Sequence, residues 1–440
     1  MRLYRLFRVA KRYSHRCFCT ATQSQQPTDL TKYLTSRIQV NGPMSVAEYM
    51  KEVLTNPVSG YYMKKDVFGQ EGDFITSPEV SQMFGELLGI WCINEWMKSG
   101  MPPLFQLVEL GPGRGTLADD MLRTFAQFPA FGEKVSLHLV EVSPKMSQLQ
   151  EEKLTGNPGK VVEGDVDNVE PPYKTAKSRH GPNVSWYKDL REVPKGFSCY
   201  IANEFFDALP IFKFHKTEEG WREVMIDVNT RKSNEDEIAA GKADADFKYV
   251  LAGGQTFPAK AFLKHIEPND PRNHVEVSPV SGVVVMELAK RIEEEGGFSL
   301  ITDYGHDGDK TDTFRAFKNH KQHNALKDPG TADLTADVDF AYLKSMAEPI
   351  ARVFGPVSQS EFLHNMGILA RLKILIKNSK DEETAKTLLS QYHMLTHPEK
   401  MGIRFKFMAL LNNEIEKEYI PSGFIDPSQY CPFENETPSE

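Results

Sequence analysis

The run Leu107-Val108-Glu109-Leu110-Gly111-Pro112-Gly113-Arg114-Gly115-Thr116 passes from an apolar strand into a turn with three glycines. Leu117 to Phe128 follow, with Leu117, Met121, Leu122 and Phe125 on one helical face. This pattern predicts a strand over 104–110, a tight turn and a helix over 117–128, the opening of an α/β core. Glycines at such a turn reach positive φ and let the backbone approach a ligand closely. The helix N-terminus behind them presents free N–H groups and the positive end of a dipole. That geometry suits the carboxylate or phosphate of a nucleotide-like cofactor.

Working downstream, Val135–Val140 reads as the second strand and ends in Glu141. A carboxylate at a strand's carboxyl end can accept both hydroxyls of a ribose. A dinucleotide fingerprint requires G-x-G-x-x-G with its acid about 20 residues on. Here Thr116 stands in the third glycine's place, and Glu141 comes 30 positions after Gly111. A helix over 145–153 and the strand-like Val161-Val162-Glu163-Gly164-Asp165 come next, which makes Asp165 a second candidate acid. Phe197–Ala202 is the fourth strand and runs into Asn203-Glu204-Phe205-Phe206-Asp207-Ala208-Leu209-Pro210. Ligands of open α/β sheets bind beyond the carboxyl ends of strands. This loop therefore brings an amide, two acids and two aromatic rings to the cofactor. The plainer alternative is an acidic helix cap with two core phenylalanines.

The flanks supply the organisation. The basic residues Arg2, Arg5, Arg8, Lys11, Arg12 and Arg16 precede the first acid, Asp29, and are interleaved with Leu3, Leu6, Phe7 and Val9. That is the pattern of a mitochondrial transit peptide over 1–28. Net charge is −9, and −15 without those residues, so a generally basic nucleic-acid face is not indicated. No uninterrupted apolar run approaches the roughly 20 residues of a membrane helix. Cys92 and Cys199 lie in apolar contexts and read as small core residues. No C-x-x-C pair supports a zinc cluster, and the pairs His320/His323 and His393/His397 read as structural.

Residues 29–103 read as a helical region, with helices from Asp29 to Ile38, Ser45 to Leu54 and Ser81 to Lys98. The irregular stretch before the last of these is a loop covering the cofactor or a mere helix start. The core's first part spans 104–210. An insertion over 211–280 alternates like hairpin strands and faces the substrate. The core resumes over 281–420 with a helix over 281–295 and a strand over 298–302 that ends in Asp303-Tyr304-Gly305. Within it, 307–330 reads as a flexible lid, Gly330–Phe340 as the start of a helix through Met346, and 360–377 as one apolar helix. A strand over 403–411 closes the core, and 421–440 reads as a disordered tail.

Several stretches together resemble one family: Gly72-Asp73-Phe74-Ile75-Thr76-Ser77-Pro78-Glu79, Glu109–Thr116, Asn203–Pro210, Asp303-Tyr304-Gly305 and Gly330–Phe340. The chain is similar, over about residues 30 to 420, to the mitochondrial MidA family of S-adenosylmethionine (SAM) methyltransferases, the complex I assembly arginine methyltransferases. The resemblance implies a class I, Rossmann-like methyltransferase core. It implies that Glu109, Gly111, Gly113 and Gly115 face SAM, that Glu141 holds the ribose and that Asp165 contacts the adenine. It also implies a matrix enzyme that symmetrically dimethylates an arginine on a core subunit of NADH:ubiquinone oxidoreductase. The double-glutamate hairpin of ordinary arginine methyltransferases is not intact here. Glu204 and Asp207 are the expected guanidinium clamp, beside Asn203, with Asp303 in reserve. Two alternatives stand: a noncatalytic assembly chaperone that binds SAM, and a NAD-dependent oxidoreductase.

Overall fold

The computed structural model describes residues 28–64, 75–157, 170–230, 245–264, 266 and 270–424. In chain order the main sheet uses β1 Phe105–Leu110, β2 Val135–Val140, β3 Lys174–Lys177, β4 Asn183–Tyr187, β5 Ser198–Asn203, β6 Gly297–His306, β7 Arg352–Ser358 and β8 Phe405–Leu411. Their spatial order is β7-β8-β6-β5-β1-β2-β4-β3. The five strands from β6 to β4 are parallel neighbours. β8 runs antiparallel between β6 and β7, and β3 is an antiparallel edge on β4. The chain fills one side from β1 and then returns at β5 on β1's other side. The strand order reverses between these two strands, where open α/β sheets form their ligand crevice.

Alternate residues of the central strands feed opposite faces, as the two-residue period of a strand requires. Leu107, Cys199 and Ile201 join the core under helices α1 Gln82–Lys98 and α2 Thr116–Phe125. Val108, Leu110, Tyr200 and Ala202 pack instead with Val285, Leu288, Ala289 and Ile292 of a helix on the other face, Pro279–Glu295. Fully burying a side chain the size of Phe84, Leu88 or Trp91 contributes about 1.5–3 kcal/mol each. The two expected core thiols, Cys92 and Cys199, are buried with their sulfurs 3.4 Å apart.

A second core lies beyond this sheet. Helices Asp29–Asn41 and Val46–Thr55 bury Leu34, Tyr49, Met50 and Val53 against Ile226, Phe247, Phe314 and Leu334. An antiparallel sheet of Phe212–Thr217, Gly220–Val228, Phe247–Leu251 and His274–Val277 carries this core. Met44–Ser45 pairs with Ile226 and Met225, so the N-terminal helices and the insertion form one unit.

Several elements differ from the sequence expectation. The first long helix, Gln82–Lys98, belongs to the main core and not to the N-terminal helical region. The strand beside β2 is Asn183–Tyr187, further along the chain than the expected stretch at 161–165, which lies outside the described residues. Residues 307–330, expected as a flexible lid, carry the hairpin Arg315–Lys318 and Lys321–His323, because Phe314, Ala316 and Leu326 anchor in the second core. Asp333–Thr335 joins that hairpin and Val338–Asp339 pairs with the end of β6, so the following helix begins later, at Phe340. The expected helix over 360–377 is two helices, divided at Gly367 with φ +87°. Among the described residues no helix is long and apolar enough to cross a membrane. The leader at 1–27 and the tail from 425 onward lie outside the described residues.

Candidate active site

The glycine turn adopts the conformation its sequence requires. Gly111, Gly113 and Gly115 have φ of +61°, +52° and +78°, a region that costs other L-residues roughly 1–2 kcal/mol. The Gly111 N–H donates to the Val140 carbonyl at 3.1 Å, tying the turn to the neighbouring strand. A Cβ on Gly111 would stand 2.8 Å from the Phe205 ring, so the turn and the loop after β5 touch. Gly115 caps α2 and packs on Gln150.

A narrow cleft opens at this reversal point, beyond the ends of β1 and β5. Glu109, Gly111, Gly113 and Arg114 line one wall, Asn203 and Glu204 another, and Thr76, Pro78 and Glu79 a third. Two buried acceptors here lack a hydrogen-bond partner among the described residues: Glu109 Oε2 and Asn203 Oδ1. Burial pushes the Glu109 carboxyl up to about 8. Orphaned buried acceptors are uncommon in proteins and mark where a donor belongs. A ligand ammonium fits that need, and SAM carries one on its methionine part.

Glu204 has φ +50°, unusual for a residue with a side chain. Its carboxylate accepts the Ser77 N–H at 2.8 Å. Burial, assisted by the charge of Asp207 and opposed by the Ser77 N–H, pushes Glu204 up to about 8. Ser77 starts a four-residue helix, Ser77–Val80, capped by Thr76 and Glu79, so this short segment closes over the cleft. The earlier part of the expected covering loop, 65–74, lies outside the described residues.

Glu204 and Asp207 lie near enough for the charge of Asp207 to raise the Glu204 carboxyl, but their hydrogen-bond partners differ. Asp207 turns to two hydroxyls. Its Oδ2 accepts the Tyr304 hydroxyl at 2.5 Å and the Thr335 hydroxyl at 2.8 Å. Burial raises the Asp207 carboxyl, and these hydroxyls with Arg315 oppose the rise. The Asp303 carboxyl is raised by burial and by the charges of both Asp207 and Glu204. Its Oδ2 accepts the N–H groups of Phe205, Phe206 and Asp207, and its Oδ1 accepts that of Tyr304.

Glu141 stands at the end of β2 and is 8% exposed, so its carboxylate looks inward. It accepts from the Ser143 N–H at 2.7 Å and from Gln150 Nε2 at 2.9 Å. Burial carries it up to about 7 against these two bonds. Asp165 lies outside the described residues. Sequence reasoning missed Gln150, whose amide bonds Glu141, the Gly113 carbonyl at 2.8 Å and the Trp186 indole at 2.9 Å. Its placement on the inner face of Pro144–Thr155 was the one available signal.

Comparison with known proteins agrees with this geometry. The family model described as "Putative S-adenosyl-L-methionine-dependent methyltransferase" matches residues 87–357. The human protein named protein arginine methyltransferase NDUFAF7, mitochondrial, is 50% identical over 88% of this chain and 84% of its own length. Its Xenopus laevis namesake is 47% identical over 91% and 90%, and the Drosophila melanogaster homolog 48% over 87% and 84%. A Burkholderia thailandensis protein crystallised with S-adenosyl-homocysteine shares the fold, with a TM-score of 0.68 at 22% identity over 88% of this chain and 92% of that one. The glycine turn at the strand-order reversal, the orphaned acceptors beside it and these matches together make the chain a member of the SAM-dependent methyltransferase family that includes NDUFAF7.

Proposed function

We propose that this protein is a protein arginine methyltransferase of the mitochondrial matrix. It transfers methyl groups from SAM to an arginine on a core subunit of respiratory complex I (NADH:ubiquinone oxidoreductase) during assembly, with type II, symmetric dimethylation. The observation that carries the reading is the cleft itself: a glycine turn built for a nucleotide-like cofactor shares one cavity with the acceptors of Asn203 and Glu204. The names of the vertebrate and insect relatives support arginine as the substrate and the mitochondrion as the site. The acid-free basic leader over 1–28 supports import.

SAM supplies a sulfonium-bound methyl as the electrophile. The chain's part is to hold and align the arginine and to exclude water. Glu109 would hold the cofactor's ammonium and Glu141 its ribose, and the family resemblance assigns the adenine to Asp165. A guanidinium is protonated at neutral pH and is a poor nucleophile. Glu204 accepts two of its N–H groups and draws positive charge away from the attacking nitrogen. Asn203 Oδ1 adds a neutral acceptor on the same wall. Attack forms the N–CH3 bond as the S–CH3 bond breaks, and one guanidinium proton must leave. Glu204, with its carboxyl at about 8, is suited to take that proton and pass it to water. Asp207 supports the wall from behind through Tyr304 and Thr335.

Mass spectrometry of complex I subunits tests this reading in cells lacking the protein and complemented with wild type or Glu204→Gln. Symmetric dimethylarginine should return with wild type and not with the variant, whose SAM affinity stays near normal. Symmetric dimethylarginine that persists without the protein, or full rescue by a folded Glu204→Gln chain, would refute it.

A further inference from the structure

The loop after β5 has an unusual support. Glu204 sits in the left-handed region at φ +50°, a conformation unfavourable for a residue with a side chain, which persists where its surroundings over-determine it. The surroundings here are specific. The Glu204 N–H donates to the Thr302 carbonyl at 2.8 Å. The next three N–H groups, of Phe205, Phe206 and Asp207, converge on Asp303 Oδ2 at 3.1, 3.0 and 3.3 Å. The other oxygen of Asp303 accepts the Tyr304 N–H at 2.9 Å. Asp303 is 0% exposed and stands in β6 one residue past its last pair with β5, Thr302 opposite Asn203. Among the described residues every hydrogen-bond partner of its carboxylate is a backbone N–H, so the group is spent on holding main chain. A substrate cation would have to displace those bonds to reach it.

We infer that Asp303 is a positioning residue, whose single oxygen gathers three consecutive N–H groups and so locks the left-handed turn that aims Glu204 into the cleft. The inference rests on the reading of Glu204 as the guanidinium acid. It gives Asp303 a task different from a reserve clamp: Asp303 acts through Glu204 and touches neither substrate nor cofactor. Asparagine in its place would keep the shape but not the pattern. Its NH2 group would meet either the Tyr304 N–H or the three converging N–H groups, donor against donor.

A double-mutant cycle with Asp303→Asn and Glu204→Gln tests this. The readouts are tritiated methyl transfer from SAM to arginine in mitochondrial protein from cells lacking this protein, and calorimetric binding of S-adenosyl-homocysteine. Asp303→Asn should lower turnover at least about tenfold with Glu204 present, but less than about twofold in the Glu204→Gln background, because coupled residues are not additive. S-adenosyl-homocysteine affinity should stay within about twofold of wild type, since the glycine turn keeps its own tie to the Val140 carbonyl. A merely structural Asp303 would lower activity equally in both backgrounds, and that result overturns the inference. So does an impaired Glu204→Gln beside an unaffected Asp303→Asn, with the Glu204 reading left standing. Full activity in Glu204→Gln overturns that reading, and the inference with it. If Asp303→Asn does not fold, Asp303→Glu keeps the charge but displaces the carboxylate by one methylene. Turnover down at least about tenfold with unchanged S-adenosyl-homocysteine affinity then supports the inference, and wild-type turnover overturns it.

Discussion

Replacing Glu109 with glutamine should make the free protein more stable and its cofactor site worse. Glu109 is 3% exposed, has one oxygen without a partner among the described residues, and holds its proton up to about 8 instead of the ordinary 4.5. The sign follows from linkage. The folded value lies above the unfolded one, so the folded state binds the proton more tightly. Stability is fullest below about 4.5 and is lost as pH rises toward about 8. At about 1.4 kcal/mol per pH unit, the loss reaches at most about 3 kcal/mol at pH 7. That is a sizeable part of the 5–15 kcal/mol, roughly, that holds a domain folded. Glutamine keeps the shape and does not titrate. Urea unfolding at pH 5.5 and pH 8 should therefore show Glu109→Gln gaining on wild type between the two by a few kcal/mol at most. The ligand side follows from the same value. At pH 7 the free carboxyl is about nine-tenths protonated, so pairing it with the cofactor's ammonium must release most of a proton. Calorimetry of S-adenosyl-homocysteine in buffers of different ionisation enthalpy should register that release in wild type. It should vanish in Glu109→Gln, with affinity down about tenfold or more. Unchanged affinity without proton release in wild type, or an identical stability difference at both pH values, would refute the reasoning.

Gly113→Val should abolish S-adenosyl-homocysteine binding in a chain that still folds, because strain of about 1–2 kcal/mol at φ +52° lies below the total stability. Near-normal calorimetric affinity in that folded variant would remove the turn from the site. Glu141→Gln should weaken the same ligand about tenfold by loss of charge-assisted ribose bonds, and an unchanged dissociation constant would leave Glu141 as a support for Gln150 alone. Turnover against pH should rise toward a plateau above about 8 as Glu204 ionises, and Glu204→Gln should flatten that rise while lowering the rate about a hundredfold; a wild-type profile flat from pH 6 to 9 would contradict this.

What could be read from the chain was what is local. The glycine turn, β1, β2, β5 and β6, and the residues at their carboxyl ends follow from apolar runs ending in turn chemistry. Glu109, Asn203 and Glu204 share a cleft because those strand ends share an edge of the sheet. The long-range pairings were not legible. Asp207 is claimed by Tyr304 and Thr335, 97 and 128 positions away, and nothing near Asp207 signals either hydroxyl. Asn183–Tyr187 is short, with Val184 and Trp186 alone of its first four residues buried, too brief a pattern to identify. Met44–Ser45 is a two-residue strand whose existence depends on the insertion it meets. The hairpin at 315–323 was disguised by its polar outer residues, while the anchoring Phe314, Ala316 and Leu326 are widely spaced.

The second core also has a history in time. The Tyr49 hydroxyl donates to the Ala325 carbonyl, 276 positions later, and the Thr28 hydroxyl reaches the Pro329 carbonyl, 301 positions later. The first helices to emerge thus have no finished partner until about three-quarters of the 440-residue chain exists. Closing so long a loop slows folding and leaves apolar faces uncovered meanwhile. Leu34, Tyr49 and Met50 stay uncovered until Leu334 has been made. A chain made from its N-terminus completes this unit late, so interruption of synthesis before residue 334 would strand those helices without their core.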